Sequence, residues 1–197
     1  MNYNGFYQTE WGWFFKDKFM ISSEGIEYNK NHIYLEEITG ISWKINTVVY
    51  NGIFRQTNYE IKIETKNDSF YIRPSKEKIF NNIVNNIWQA VGNNLMVKMI
   101  LKLQNGETLR IGQIEFTDLG IFLENNKFFS SDRKFFTWNE DLTIYSENGS
   151  VIISSKSENY SSSVPYDANN VPVFENLIRI FFKNFDYSNP RISSLLQ

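Results

Sequence analysis

The chain has no cysteine. Disulfides, thiolate catalysis and cysteine-based zinc sites are therefore excluded, and the composition fits a reducing compartment. Histidine occurs once, at His32, so a His-based metal centre has too few ligands and a nucleophile–histidine triad has one place to look. Alanine occurs only at Ala90 and Ala168 while asparagine is abundant, which disfavours an all-helical protein. No hydrophobic run approaches the length of a membrane span. The opening MNYNGFYQTEWGWFFKDKF lacks the basic-then-apolar layout of an export signal, because Glu10, Lys16, Asp17 and Lys18 interrupt its only aromatic run. An excess of one charge is also missing. The net charge is −2, with ten basic and ten acidic residues up to Gly92 and ten and twelve after it. General nucleic-acid binding is not expected from such a balance, and peripheral lipid binding has little support. A cytoplasmic protein without a transmembrane segment is the expectation.

Large rings are plentiful: 17 Phe, 11 Tyr and 5 Trp in 197 residues can build a core from few side chains. Their order along the chain is that of strands followed by a helix. FMIS, a turn at Ser23-Glu24-Gly25 and IEYN read as a hairpin, and HIYL and ITGISWKI follow with a Glu36-Glu37 corner between them. Thr47–Phe54, TVVYNGIF, carries Asn51-Gly52, a strong two-residue hairpin signal, and returns as YEIKIET with Tyr59, Ile61 and Ile63 on one face. FYIRP is the last strand. In PSKEKIFNNIVNNIWQAVG the apolar residues Ile79, Phe80, Ile83, Val84, Ile87, Trp88 and Val91 make one helical stripe; Ser75 is a candidate cap and Gly92 a candidate terminator.

The pattern then recurs. A helix at about 94–104 leads into TLRIG, IEFT, a turn at Asp118-Leu119-Gly120 and IFLE. Asn148-Gly149 marks a hairpin before VIIS, Pro165 punctuates a Ser-rich loop, and VPVFENLIRIFF repeats the helical stripe with Pro172 in its first turn. Gly25 matches Gly120, and EEIT at Glu36–Thr39 matches EDLT at Glu140–Thr143. A simpler register would align Trp43 with Trp138; the EEIT/EDLT alignment is preferred because it keeps turn, strand and corner together. The expected boundaries are 1–92 for the first repeat and 93–197 for the second.

The runs GIEYNKNHIYLEEITGISW and YNGIFRQTNYEIKI, the Ser75–Val91 helix, and their echoes LGIFLENNKFFSSDRKFFTWNEDLTIYSENG and Val171–Phe182 together resemble bacterial tandem pleckstrin-homology-like proteins. The resemblance implies a mainly β (α+β) chain of two tandem antiparallel β-sandwich or barrel units, each closed by a C-terminal amphipathic helix. It also implies a scaffold that binds a peptide, protein or lipid through loops or the groove between sheet and helix. Lipid-binding members place Lys and Arg in the first hairpin. Here Lys16, Lys18 and Lys30, and later Arg110 and Lys127, are interleaved with Asp17, Glu24 and Glu115, which argues against inositol-phosphate recognition.

Few side chains suggest chemistry. His32 sits at a turn-to-strand junction. Glu36-Glu37 and Glu140-Asp141 are adjacent carboxylates, and neighbours in a strand point to opposite faces rather than into one cavity. No calcium-loop or phosphate-loop motif is present. No catalytic residue, metal ligand or cofactor is therefore assigned, and an enzyme working through carboxylates alone is the least favoured reading. Tyr50, Asn51, Ile53, Phe54 and Arg55 at the middle hairpin tip are the candidate partner-binding residues, being of types favoured at interface hot spots. Phe128–Phe136, FFSSDRKFF, is a second surface candidate, with core packing preferred. The expected function is non-enzymatic recognition of a protein or peptide, as a bacterial adaptor or immunity protein; the alternative is a lipid- or small-ligand-binding module.

Overall fold

A computed structural model describes residues 3–13, 16–50, 54–125 and 132–196 of the chain, without the side chains of Tyr50 and Phe54. The chain divides into two compact units, Met1–Leu95 and Met96–Gln197.

The first unit opens with an antiparallel meander of β1 (Tyr7–Trp11), β2 (Asp17–Ile21), β3 (Gly25–Tyr28) and β4 (Asn31–Tyr34). A 3-10 turn at Leu35–Glu37 is the Glu36-Glu37 corner. A second sheet follows: β5 (Ile38–Tyr50), β6 (Phe54–Thr65) and β7 (Ser69–Ile72). No described ladder joins the two sheets, so they do not close into a barrel. Alternation decides the inner face. Ile41, Ile61, Ile63 and Ile72 are buried together with Phe19, Ile21, Ile26 and Ile33 of the first sheet. Helix α1 (Glu77–Ile87) buries Phe80, Ile83 and Ile87, its stripe at helical spacing, and Phe80 lies 5.2 Å from the Tyr59 ring of β6.

Two helix signals act differently from their sequence reading. Lys76, not Ser75, is the N-cap, and no side chain caps the helix. Gly92 does not end it: the chain passes through a π turn, Trp88–Gly92, into α2 (Asn93–Gln104). Space, not a left-handed φ, explains this glycine, because a Cβ there would lie 2.7 Å from the Trp88 ring. Gly106, at φ +81°, is the real terminator; its N–H and that of Glu107 bond back to the carbonyls of Leu103 and Lys102.

The second unit continues with β8 (Leu109–Ile111), β9 (Ile114–Thr117), β10 (Gly120–Asn125), β11 (Arg133–Thr137), β12 (Leu142–Glu147), β13 (Ser150–Ser155) and β14 (Tyr160–Pro165). All belong to one antiparallel sheet, because β14 pairs with the end of β10 at Glu124–Ser161 and Asn125–Tyr160. This sheet too stays open rather than forming a barrel. Asn148 and Gly149, both at positive φ, make the β12–β13 turn their sequence announced. The Ser-rich segment is part strand and part loop: Ser154 and Ser155 end β13, 156–159 bend, and the chain returns as β14, whose last residue is Pro165. Ser162 of β14 is buried and its hydroxyl accepts the Glu124 N–H at 3.2 Å. Helix α3 (Val171–Lys183), with Pro172 in its first turn, packs Phe174 on Phe116 (4.9 Å) and Phe181 on Trp138 (5.6 Å). A 3-10 turn, Ile192–Leu196, follows it.

Both units thus run through seven strands and then a helix, with the 3-strand group entered at Ile38 in one and Leu142 in the other. That is the EEIT/EDLT alignment. Trp43 lies inside β5, whereas Trp138 lies in the corner before β12, so the alternative register does not hold.

Candidate functional site

The hairpin of β5 and β6 is much longer than the strand that backs it. β7 pairs only with Ile61–Glu64 of β6. Beyond that point the ladder continues as two strands alone, from Lys44–Glu60 through Ile45–Tyr59, Asn46–Asn58, Thr47–Thr57, Val48–Gln56 and Val49–Arg55 to Tyr50–Phe54. At roughly 3.3 Å per residue this ribbon reaches about 20 Å past the end of the three-stranded sheet. The equivalent hairpin of the second unit has no such overhang, since β14 backs β13 over Ser150–Ser154.

The ribbon carries the core face outward into solvent. Residues opposite one another share a face, so Ile41–Ile63 and Trp43–Ile61 are followed on the same side by Ile45–Tyr59, Thr47–Thr57 and Val49–Arg55. Ile41, Ile61 and Ile63 are fully buried, but Ile45 is 54% and Val49 50% exposed; Val48, on the other face, is 38% exposed. The Thr47 and Thr57 hydroxyls, 3.2 Å apart, are its only described side-chain tie between the strands beyond Tyr59. Three charges punctuate it, at Lys44, Arg55 and Glu60, and Glu60 is engaged by Arg73 at 2.7 Å. A two-stranded ribbon has little stability of its own. This one keeps Ile45, Val48 and Val49 exposed among polar residues such as Asn46, Gln56 and Asn58.

Of the sequence-predicted binding residues, Asn51 and Ile53 lie outside the described residues, Tyr50 and Phe54 are the last paired positions of the ribbon, and Arg55 is exposed beside them. The sequence singled out the tip; the exposed Ile45, Val48 and Val49 along the shaft were missed. Their signal was the length of β5 against the brevity of FYIRP, which leaves no third strand to cover them.

Glu36 and Glu37 are exposed in the 3-10 corner, while most of the other candidates are occupied by structural work. His32 packs edge-on against Tyr34 (4.6 Å), with Nδ1 3.6 Å from Glu27. Glu140 accepts the Thr137 N–H at 2.8 Å and its hydroxyl at 3.2 Å, and Asp141 pairs with Lys156 at 2.7 Å. Lys16 and Lys18 both reach Glu10, at 3.6 and 3.3 Å. Hydrogen bonding and attraction from Lys18, with Lys16 beyond it, hold the Glu10 carboxyl below its ordinary range. Arg110 faces Glu115 across β8 and β9, and Glu115 also pairs with Arg133. In FFSSDRKFF, Phe136 is in the core and Phe135 packs on Phe122; Lys127, Phe128 and Phe129 lie outside the described residues. Among the described residues no three His, Asp or Glu side chains converge to hold a metal, and no helix is long and apolar enough to cross a membrane.

The second unit also carries a groove that its sequence does not announce. Phe182 in the last turn of α3, Phe185 and Tyr187 just after it, Trp138 and the start of β12 line a groove of ≈ 460 Å³. Tyr187 is 81% exposed there. Lys156 and Asp141 pair with each other at its rim, and Glu140, which also lines it, accepts hydrogen bonds from Thr137.

No family model matches the chain, and no curated protein or solved structure matches it significantly.

Proposed function

We propose that the protein is a non-enzymatic recognition module of adaptor or immunity type, built from two pleckstrin-homology-like units, whose β5–β6 arm contacts a protein partner. The observation that carries this reading is the arm itself. It is an uncovered two-stranded ribbon with Ile45, Val48 and Val49 exposed, present in one unit and absent from its counterpart. The tandem reading is supported by the shared order of seven strands and a helix, and by Gly25 and Gly120 at the same point of each meander. The lipid-binding alternative gains little from the first hairpin, because two of its three lysines, Lys16 and Lys18, reach Glu10.

The test is capture with the immobilised full chain from a lysate of its native host, run in parallel with the doubly substituted Ile45→Ser/Val49→Ser protein. A partner identified by mass spectrometry that is retained by the native chain and lost by the arm variant supports the reading. Equal capture by both removes the arm from recognition. Because these positions are exposed, the variant is expected to keep its stability to within about 0.5 kcal/mol, so loss of folding does not confuse the result.

A further inference from the structure

We propose that the outer edge of the arm pairs with the same edge of a second copy of this chain, strand β5 against strand β5 around a two-fold axis at Thr47. The proposal rests on the arm being a recognition surface and names one partner for it.

The hydrogen-bond phase of the ladder fixes which residues are available. The Thr65 N–H bonds to the Asp68 carbonyl at 2.9 Å, and β6 pairs with β7 in the same register at Ile63–Phe70 and Ile61–Ile72. Antiparallel strands alternate, so Ile61, Ile63 and Thr65 turn their backbone groups to β7, while Glu60, Asn58, Gln56 and their mates turn theirs to β5. On β5 the residues between those mates, Ile45, Thr47 and Val49, therefore turn their N–H and C=O groups outward. β5 is the terminal strand of its sheet, and no described strand pairs with that side.

Other terminal strands carry something that discourages edge pairing. β4 and β7 have four residues each and β8 three; β1 contains Glu10, β11 begins Arg133-Lys134, and β12 ends on Glu147. Such shortness and charge are the usual protections of an open edge. β5 has 13 residues, its one irregularity is at Ile38/Gly40, and from Ile45 to Val49 it carries neither charge nor proline. An edge of this kind is a template for another strand.

The segment is also complementary to itself. With Thr47 on the axis, Ile45 faces Val49 of the second copy, Val49 faces Ile45, Asn46 faces Val48, and Lys44 faces Tyr50. No charge meets a like charge. Ile45, Thr47 and Val49 are the outward-bonding residues, so the pairs Ile45–Val49, Thr47–Thr47 and Val49–Ile45 each exchange both backbone hydrogen bonds. The same pairs bring the exposed Ile45 and Val49 side chains together on one face, as β-branched cross-strand neighbours. Axis geometry, backbone phase and apolar exposure select the same register.

Sedimentation velocity on the full chain, over a dilution series reaching about 1 mM, the weak end of specific association, measures the pairing. Native protein is expected to shift from monomer to dimer with concentration. Thr47→Lys and Thr47→Glu each place like charges face to face on the axis and are expected to weaken the dimer at least about fivefold. An equimolar mixture of the two restores a dimer, now with opposite charges opposed. Circular dichroism checks that both variants are folded. A native chain that stays monomeric across the series overturns the proposal, and so do variants that dimerise as well as the native chain, since the contact then lies elsewhere. If the native chain is monomeric but Ile45→Ser/Val49→Ser loses a captured partner, self-pairing falls while the arm keeps its recognition role.

Discussion

Gly25 and Gly120 occupy the same structural position in the two units. Each is the first residue of the third strand in its meander, paired with Tyr34 and Thr137 respectively. A Cβ on Gly25 would stand 2.5 Å from the Ile33 carbonyl oxygen, and one on Gly120 would stand 2.2 Å from the Phe136 carbonyl oxygen. Neither glycine has a positive φ. Close approach of a neighbouring backbone, not turn geometry, therefore excludes any side chain at either point.

Gly25→Ala and Gly120→Ala are each expected to destabilise the protein by about 1–3 kcal/mol, the range for forcing a methyl into a filled space. Gly120→Ala is expected to cost more, because its contacts include the Phe136 carbonyl and the Thr137 Cα as well as the Phe135 ring. Urea unfolding measures both. Equal stability of either variant and the native chain would contradict the close approach.

The Asp118 carboxylate, from the β9–β10 turn, accepts the Ser193 N–H at 2.7 Å and the Ser193 hydroxyl at 2.8 Å. Both residues are buried, and Ile192 beside them is fully so, which pins the final 3-10 turn to the second unit. Asp118→Ala removes an ionised acceptor from two donors, at a cost of about 1.5–3 kcal/mol for each hydrogen bond to a charged group. Ser193→Ala removes only the hydroxyl bond and is expected to cost less. Hydrogen exchange distinguishes local from global loss: amides of 186–196 are expected to lose protection in Asp118→Ala while those of β8–β10 keep theirs.

Periodic segments were legible from sequence, and unbacked ones were not. Ile61 and Ile63 alternate with charged residues, and Ile83 and Ile87 recur at helical spacing, because burial on one face imposes those periods. Gly92 misled, since a glycine after a helical stripe looks the same whether it ends a helix or makes room for Trp88. The burial of Ser162 in β14 is not legible for a related reason: its hydroxyl accepts the Glu124 N–H, a pairing between residues 38 positions apart. The hairpin tip at Tyr50–Arg55 stands out through its Asn-Gly turn and its Tyr, Phe and Arg side chains, but the exposure of Ile45 and Val49 depends on how far β7 extends. That length is a property of the assembled sheet.

Glu175 of α3 joins a network with Ser146 (2.7 Å), Tyr166 and Arg179 (2.7 Å), tying the helix to β12. Burial raises its carboxyl pKa, but hydrogen bonds from Tyr166, Ser146 and Arg179 outweigh it and leave the value below the ordinary glutamate range. A depressed folded-state pKa means that the stabilisation is complete above the unfolded value and is lost as pH falls through the folded one. The native protein is therefore expected to lose thermal stability on acidification from the ordinary glutamate range downward. Glu175→Gln should start less stable near neutrality and show a shallower acid limb. Melting curves for both proteins across that range check the sign; parallel limbs would mean that Glu175 contributes nothing to the pH dependence.

Trp88 and Gly92 couple the π turn to ring packing. With a Cβ on residue 92 only 2.7 Å from the indole Cδ2 and Cε3, Gly92→Ala cannot keep Trp88 where it stands. On propensity alone the substitution should stabilise a helical stretch, by about 0.8–1.0 kcal/mol for glycine against alanine. Displacement of the ring opposes this, and an overpacked site costs about 1–3 kcal/mol, so net destabilisation is expected. Replacing the ring exposes the propensity gain. In the Trp88→Leu background Gly92→Ala should become neutral or stabilising, a change of sign that a double-mutant cycle reads directly as coupling between contacting residues. If Gly92→Ala destabilises equally with and without the indole, the glycine is required by the backbone of the π turn itself, and the ring is only its neighbour.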